Sequence, residues 1–173
     1  APPGSIVKPL VLAAAMGAGL VDVDTVIECR GHHFPNQPDI ARCWIHRPEY
    51  GMAKHGPLGV REALARSCNC WFYELGAQAG LAAMVEWLSA FGLGQTHLIG
   101  LTAPDAEGSI EVPGMRPDQD LIEMLRARGE DTFESLMMAI GQGRSAWTPL
   151  HAADAYATLV RGGHRVAPVL VRG

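Results

Sequence analysis

The chain has 173 residues, 48% hydrophobic and 18% charged, which supplies enough apolar material for one globular core and argues against disorder. Its net charge of −4 and pI near 6.0, with no basic stripe carrying interleaved aromatics, exclude the electrostatic footprint of a nucleic-acid binder. The longest apolar run, Val7 to Met16 with a weak extension to Val23, is broken by Gly17, Gly19 and Asp22 and is too short to span a bilayer.

The first predicted element is a helix from Ser5 to about Gly17 or Gly19, where glycine offers a C-cap. Pro3-Gly4 forms the turn into it. Ser5 and Lys8 then fall on one face, with the ammonium in reach of the hydroxyl. A serine hydroxyl becomes a useful nucleophile only beside a group that takes its proton. Burial of the apolar run starting at Val7 would lower the Lys8 pKa towards that task. The plainer reading of the same residues is a helix N-cap followed by a solvated lysine. No basic leader with a cleavage site precedes them, so targeting does not give the compartment. A nucleophile candidate at residue 5 suggests a piece of a longer protein.

Leu20 to Glu28 reads as a short extended segment or a turn. Cys29 to Gly56, rich in proline and histidine and without periodicity, reads as a long ordered loop, of a length that is usually functional or pinned by a cross-link or metal. Helical spacing runs from Gly59 to Arg66 and resumes from Asn69 to Gly80, with Ser67-Cys68-Asn69 at the join. Leu81 to Phe91 is a third helix, stopped by Gly92 and Gly94. Gly100 to Gly114 holds the turn formers of an exposed connection. Asp118 to Arg128 is a polar-faced helix with acids early and arginines late, matching the macrodipole. Thr148 and Pro149 make an N-cap and N1 pair for a helix that ends at Gly162-Gly163. Val166 to Val171, with Pro168 inside it, is an edge strand or a tail. Trp71, Phe72 and Tyr73 read as core, and Met115, Met124, Met137 and Met138 as packing.

Three features line up in order: Ser5-x-x-Lys8, then Ser67-Cys68-Asn69, then Gly141-Gln142-Gly143 ahead of the Thr148-Pro149 helix. With Pro2 to Pro9, Ala63 to Phe72, Phe91 to Gly94 and Ala139 to Gly143, this resembles the transpeptidase domain of penicillin-binding proteins, and within it the elongation-type monofunctional enzymes. The resemblance covers most of the chain and is weakest from Thr96 to Thr132. It implies that Ser5 is the acylated nucleophile, attacking the penultimate D-alanyl carbonyl of a peptidoglycan stem peptide or a β-lactam. Lys8 would take its proton, Ser67 would relay a proton to the leaving group, and Asn69 would hold the donor amide. Taken without the upstream pair, Ser67 and Asn69 are capping residues at a helix join. Gly141-Gln142-Gly143 lacks the Lys-Ser/Thr of a phosphate loop and reads as a tight backbone approach beside the site.

The sequence also departs from the family. Its third motif, Lys-Thr-Gly on a strand lining the site, does not occur up to Gly173, nor do the strands that precede the Ser-x-x-Lys helix. The expectation is therefore a single partial transpeptidase domain over residues 1–173. It should be mainly α, the helical lobe of the penicillin-binding transpeptidase and serine β-lactamase-like fold, with most of the five-stranded sheet absent. Weak or no activity alone follows, because that strand supplies an oxyanion-hole N–H worth roughly 10²–10³ in rate.

Cys29, Cys43, His55 and Cys68 lack the short spacing of a zinc finger. Their positions suggest more. Cys29 and Cys43 bracket the proline-rich loop, His55 precedes the next helix, and Cys68 lies between two side chains that the resemblance turns towards substrate. A loop folded back over the join would gather them into a Cys₃His site for structural Zn²⁺. The rivals are a Cys29–Cys43 disulfide and buried free thiols. Cys70 is expected on the far side of its helix from Cys68, as a core thiol, and His32, His33 and His46 are alternative ligands. By resemblance the chain acts on the periplasmic or extracytoplasmic face of the inner membrane, with a lipid-linked glycosyltransferase as partner of the parent protein. The alternative from another class is a non-catalytic, zinc-stabilised helical module or scaffold of cell-wall synthesis; a serine β-lactamase or penicillin sensor shares the first two motifs.

Overall fold

The structure is a computed structural model that describes residues 1–99 and 111–168. Most of the expected Gly100–Gly114 connection and the end of the Val166–Val171 segment lie outside the described residues. Within them six helices and one two-stranded ribbon are formed: α1 (Lys8–Gly17), β1 (Val26–Cys29), β2 (Gly56–Gly59), α2 (Val60–Ala65), α3 (Asn69–Ala90), α4 (Gln119–Arg128), α5 (Asp131–Ala139) and α6 (Pro149–Val160). The mainly α expectation is borne out, and the ribbon is the only sheet among the described residues. Among them, too, no helix is long and apolar enough to cross a membrane.

Helix α3 is the axis. It is broken at Gly80, whose φ of 75° and ψ of 165° leave the helical region, so the two helices predicted on either side of this glycine run on as one kinked element. Helix α5 packs along its first half because Gly76 has no side chain. A Cβ there would stand 2.8 Å from the Ser135 carbonyl oxygen, and the Ser135 hydroxyl instead donates to the Gly76 carbonyl at 2.7 Å. Helix α1 is covered nearly all round, burying Leu10, Val11, Leu12 and Ala15. Trp71, Phe72 and Leu75 of α3 and Leu136, Met138 and Ala139 of α5 complete this centre.

The helix termini follow their sequence signals. Asp118 caps α4 by accepting from Leu121 N–H at 2.9 Å, and Gly129 ends it in a left-handed conformation. Thr148 and His151 cap each other at the start of α6, with Pro149 at its first position. Helix α5, for which no element is expected from the sequence, fills the gap between Arg128 and Gly141.

The proline-rich segment is closed at its base by antiparallel β1 and β2, with Cys29 opposite Gly56 and Val26 opposite Gly59. The expected short extended segment is thus β1, and the long loop is an excursion from a ribbon that lies on α3. Ala1 to Gly4 run beside residues 141 to 147. Trp147 N–H donates to the Ala1 carbonyl at 2.9 Å, and Gly4 N–H to the Gly141 carbonyl at 2.8 Å.

Candidate active site and thiol cluster

Ser5 does not sit in the α-helix but in a 3-10 turn, Gly4–Val7, that leads into α1. Pro9 gives a local reason. An α-helical Ser5 carbonyl would accept from the residue four ahead, which is Pro9 and has no N–H. The carbonyl accepts instead from Lys8 N–H, three ahead, which tightens the turn and brings the Ser5 and Lys8 side chains into near eclipse. Gly4 opens the turn with a φ of 64°. Gly141 presses on it so closely that a Cβ there would lie 2.1 Å from the Gly4 oxygen, the close backbone approach expected of the Gly-Gln-Gly stretch. Ser5 is exposed, whereas Val7 and Lys8 behind it are buried.

Lys8 and Ser5 are joined through a third residue rather than directly. The Lys8 ammonium donates to the Ser67 carbonyl at 2.8 Å, to the Ser67 hydroxyl at 3.0 Å and to Asn69 Oδ1 at 2.7 Å. The Ser67 hydroxyl in turn donates to Ser5 Oγ at 3.0 Å. These three acceptors match the three donors of an ammonium, and the Phe72 ring lies 5.5 Å from Nζ. Burial drives the Lys8 pKa from 10.5 down to about 8, opposed by the negative charge of the thiols behind it.

Ser67 is held in the left-handed region, φ 48°, a conformation that costs a non-glycine residue of order 1–3 kcal/mol and needs its surroundings to enforce it. The enforcement comes from the end of α2, where Ser67 N–H bonds the Leu64 carbonyl and Cys68 N–H the Ala63 carbonyl. The N-cap of α3 is Cys68, with no side-chain cap. Ser67 and Asn69 therefore do not spend their side chains as caps; both turn to Lys8. Asn69 Nδ2 reaches back to the Arg42 carbonyl at 3.5 Å, and Tyr73 Oη meets the same oxygen at 3.4 Å.

Cys68, between these two residues, points the opposite way, into the molecule. Its sulfur lies 3.9 Å from that of Cys43, which is 3.5 Å from His55 Nδ1. Together with Cys29 these four ligand atoms all lie within 4.8 Å of one another. A tetrahedral ion with Zn–S of about 2.3 Å and Zn–N of about 2.0 Å requires S···S near about 3.8 Å and S···N near about 3.5 Å, so the donor set and its spacing fit Zn²⁺. All four cysteines are free thiols, and no Cys29–Cys43 disulfide is formed. Hydrogen bonds from Cys29, Cys68 and Cys70 pull the Cys43 thiol well below its ordinary range, while hydrogen bonds to Cys29 and Cys43 push Cys68 up. A thiol lowered in this way is nearer the thiolate state that a metal ligand needs.

Cys70 differs from its expectation. It is buried, but hydrogen bonds to Cys29 and Cys43 push its thiol up, which puts it on the cluster side of α3. Cys68 is the extended N-cap of α3, with ψ 113°, so helical spacing from Cys68 to Cys70 does not apply. His46 stays outside the cluster, its Nδ1 at 3.2 Å from the Ala53 carbonyl and its ring against Gly31, with His32 edge-on to it. His33 packs edge-on to Phe34 and Tyr73.

One contact had no sequence signal. Tyr156 of α6 donates its hydroxyl to the Ile6 carbonyl at 2.7 Å, directly beside Ser5. The two residues are far apart in sequence, and nothing in a tyrosine on an apolar helix marks it for this role.

The sequence model of the Penicillin binding protein transpeptidase domain matches residues 1–173. Over 172 residues the chain is 31% identical to the peptidoglycan D,D-transpeptidase MrdA of Acinetobacter baumannii, covering 99% of this chain and 24% of that protein. The MrdA of Escherichia coli K12 is 28% identical over 171 residues, covering 98% and 25%. The chain spans about a quarter of the length of these curated relatives. Among solved structures, Pseudomonas aeruginosa PBP2 in complex with WCK 5153 superposes with a TM-score of 0.79 at 29% identity, over 99% of this chain and 36% of that one.

Proposed function

The chain belongs to the penicillin-binding protein transpeptidase family, and from that premise we propose that it carries the nucleophile half of a peptidoglycan D,D-transpeptidase site, with Ser5 as the residue acylated. The observation that carries this reading is the continuous hydrogen-bond chain from Ser5 through Ser67 to Lys8, with Asn69 on the same ammonium.

In the charged state both bonds run outwards, Lys8 to Ser67 to Ser5. With a pKa of about 8, roughly a tenth of Lys8 is neutral at pH 7, and for a neutral amine the chain reverses. Ser5 Oγ attacks the penultimate D-alanyl carbonyl while its proton passes to Ser67, whose own proton passes to Nζ. The C–N bond to the terminal D-alanine then breaks, and the proton returns through Ser67 to the leaving nitrogen. An ester on Ser5 remains, which the amino group of a second stem peptide attacks to complete the transfer. A β-lactam enters the same first step, its ring amide taking the place of the scissile bond. Asn69 Oδ1 is occupied by Lys8 and one Nδ2 N–H by the Arg42 carbonyl, which leaves the other Nδ2 N–H to hold the donor's amide carbonyl. The Ser5 N–H, in the first turn, is available as one donor to the oxyanion. The D-Ala-D-Ala substrate, β-lactam binding, the extracytoplasmic setting and a glycosyltransferase partner are part of this proposal by family membership.

For Cys29, Cys43, His55 and Cys68 the proposal is a structural Zn²⁺ site. Bound there, the ion supplies a closed cross-link with no open position for catalysis. It would tie the 29–56 loop to the back of the Ser67–Asn69 segment.

Labelled penicillin provides the test of the enzymatic reading. The complete gene product should form a covalent adduct at Ser5 that is absent in Ser5→Ala, and the 173-residue chain should acylate roughly 10²–10³-fold more slowly. No adduct on the complete product would overturn the assignment.

A further inference from the structure

The turn that carries Ser5 is held from outside at two points, one on each side. Gly4 N–H is fixed by the Gly141 carbonyl at 2.8 Å, and the Ile6 carbonyl by the Tyr156 hydroxyl at 2.7 Å. The first is a backbone contact set by the Gly-Gln-Gly segment. The second depends on one side chain. We propose that Tyr156 is a positioning residue for the nucleophile, acting through the Ile6 carbonyl; the inference rests on the reading of Ser5 as the acylated residue.

The sequence creates the need for such a contact. A 3-10 turn would close the Ile6 carbonyl on the N–H three residues ahead, and that residue is Pro9, which has none. Ile6 is itself exposed, so its carbonyl, in the Ile6–Val7 peptide unit, lacks cover from the core. The Tyr156 hydroxyl reaches this oxygen from α6, an element with its own start fixed by the Thr148–His151 capping box and its middle by the ion pair of Asp154 with Arg165 at 3.0 Å. Burial pushes the Tyr156 pKa up, which keeps the hydroxyl protonated and a donor throughout the working range. With the Pro3–Gly4 and Ile6–Val7 peptide units, one step from Ser5 on either side, both pinned, the short backbone turn that carries the Ser5 N–H and Oγ is fixed before substrate arrives.

The experiment is saturable acylation by a penicillin, which separates the non-covalent constant K from the first-order rate k2, on wild type and Tyr156→Phe of the complete gene product. The expected result is a fall of k2 of roughly 10-fold with K within about 2-fold and Tm nearly unchanged. Hydrogen exchange at residues 5–8 should speed up in the same variant, a readout independent of chemistry. Wild-type k2 in Tyr156→Phe, unaltered exchange at residues 5–8, or a loss of k2 that merely follows a loss of Tm overturns the positioning role. Failure of the wild type to acylate at Ser5 overturns the functional reading itself, and this inference with it, so the two failures are told apart by which protein fails.

Discussion

At the scale of single residues, Lys8 decides how the site answers to pH. A buried ammonium bonded to one hydroxyl, and through it to a second, is no base until it loses its proton, and its pKa of about 8 puts that event within reach of ordinary buffers. On the proposed role of Lys8 as the base, which needs its neutral form, the acylation rate should climb with pH by roughly tenfold per unit below 7 and level off above about pH 9. A rate flat between pH 6 and 9 would remove Lys8 as the proton acceptor, and Lys8→Arg, which stays charged, should abolish the reaction. Ser5, Lys8, Ser67 and Asn69 were legible in the sequence because each pair stands at short spacing and the pairs come in a known order. Their wiring was not. Helical spacing predicted a direct bond from Lys8 to Ser5, but the donors of Lys8 are taken by a segment 59 to 61 residues away, and Ser67 stands between the two.

At the scale of elements, the packing of α5 on α3 turns on one missing side chain. Gly76→Ala would push a methyl to 2.8 Å from a backbone carbonyl that α5 cannot easily withdraw. Overpacking of this kind costs about 1–3 kcal/mol, which lowers Tm by roughly 3–9 °C in a domain of this size. Gly17→Ala, at the end of α1 with nothing within 4 Å of the new methyl, is the matched control and should leave Tm unchanged or slightly higher. Thermal unfolding of the two variants checks both. Helices with an apolar stripe or a cap were legible. Helix α5 was not, because its pattern is mixed: Phe133 is exposed, while Glu134 and Ser135 are buried beside Leu136, Met138 and Ala139. Those two have tertiary tasks. Glu134 accepts from Arg144 N–H and so holds the loop after Gly141, and Ser135 bonds α3. Strand β2 was hidden for a related reason. Its sequence, Gly-Pro-Leu-Gly, has no strand propensity and becomes extended by pairing with β1.

At the scale of the whole molecule, the 29–56 loop has a ribbon at its base and the thiol cluster at its centre, but no regular core of its own beyond one short 3-10 turn. If zinc is the cross-link, the purified protein should hold about one equivalent, and Cys43→Ser should lose it with a drop in Tm of roughly 5–10 °C. Limited proteolysis should then cut between residues 30 and 55, which chelation of the wild type should reproduce. Absence of stoichiometric metal from carefully prepared protein would sink the idea. The sequence disclosed this cluster only once the family resemblance had oriented Cys68, since its ligands are too widely spaced to announce a metal by themselves. What no local pattern could disclose is how the start of the chain is seated. Ala1 N and Trp147 O meet across 146 residues, and Gly4 leans on Gly141. During synthesis at about 5–20 residues per second, the Ser5 segment is made on the order of 7–30 s before the stretch that must hold it. For that interval the growing chain carries an ordinary hydroxyl. On the proposed reading of Ser5, its reactivity awaits helices α5 and α6, and a nascent chain that stops short of them should form no penicilloyl adduct.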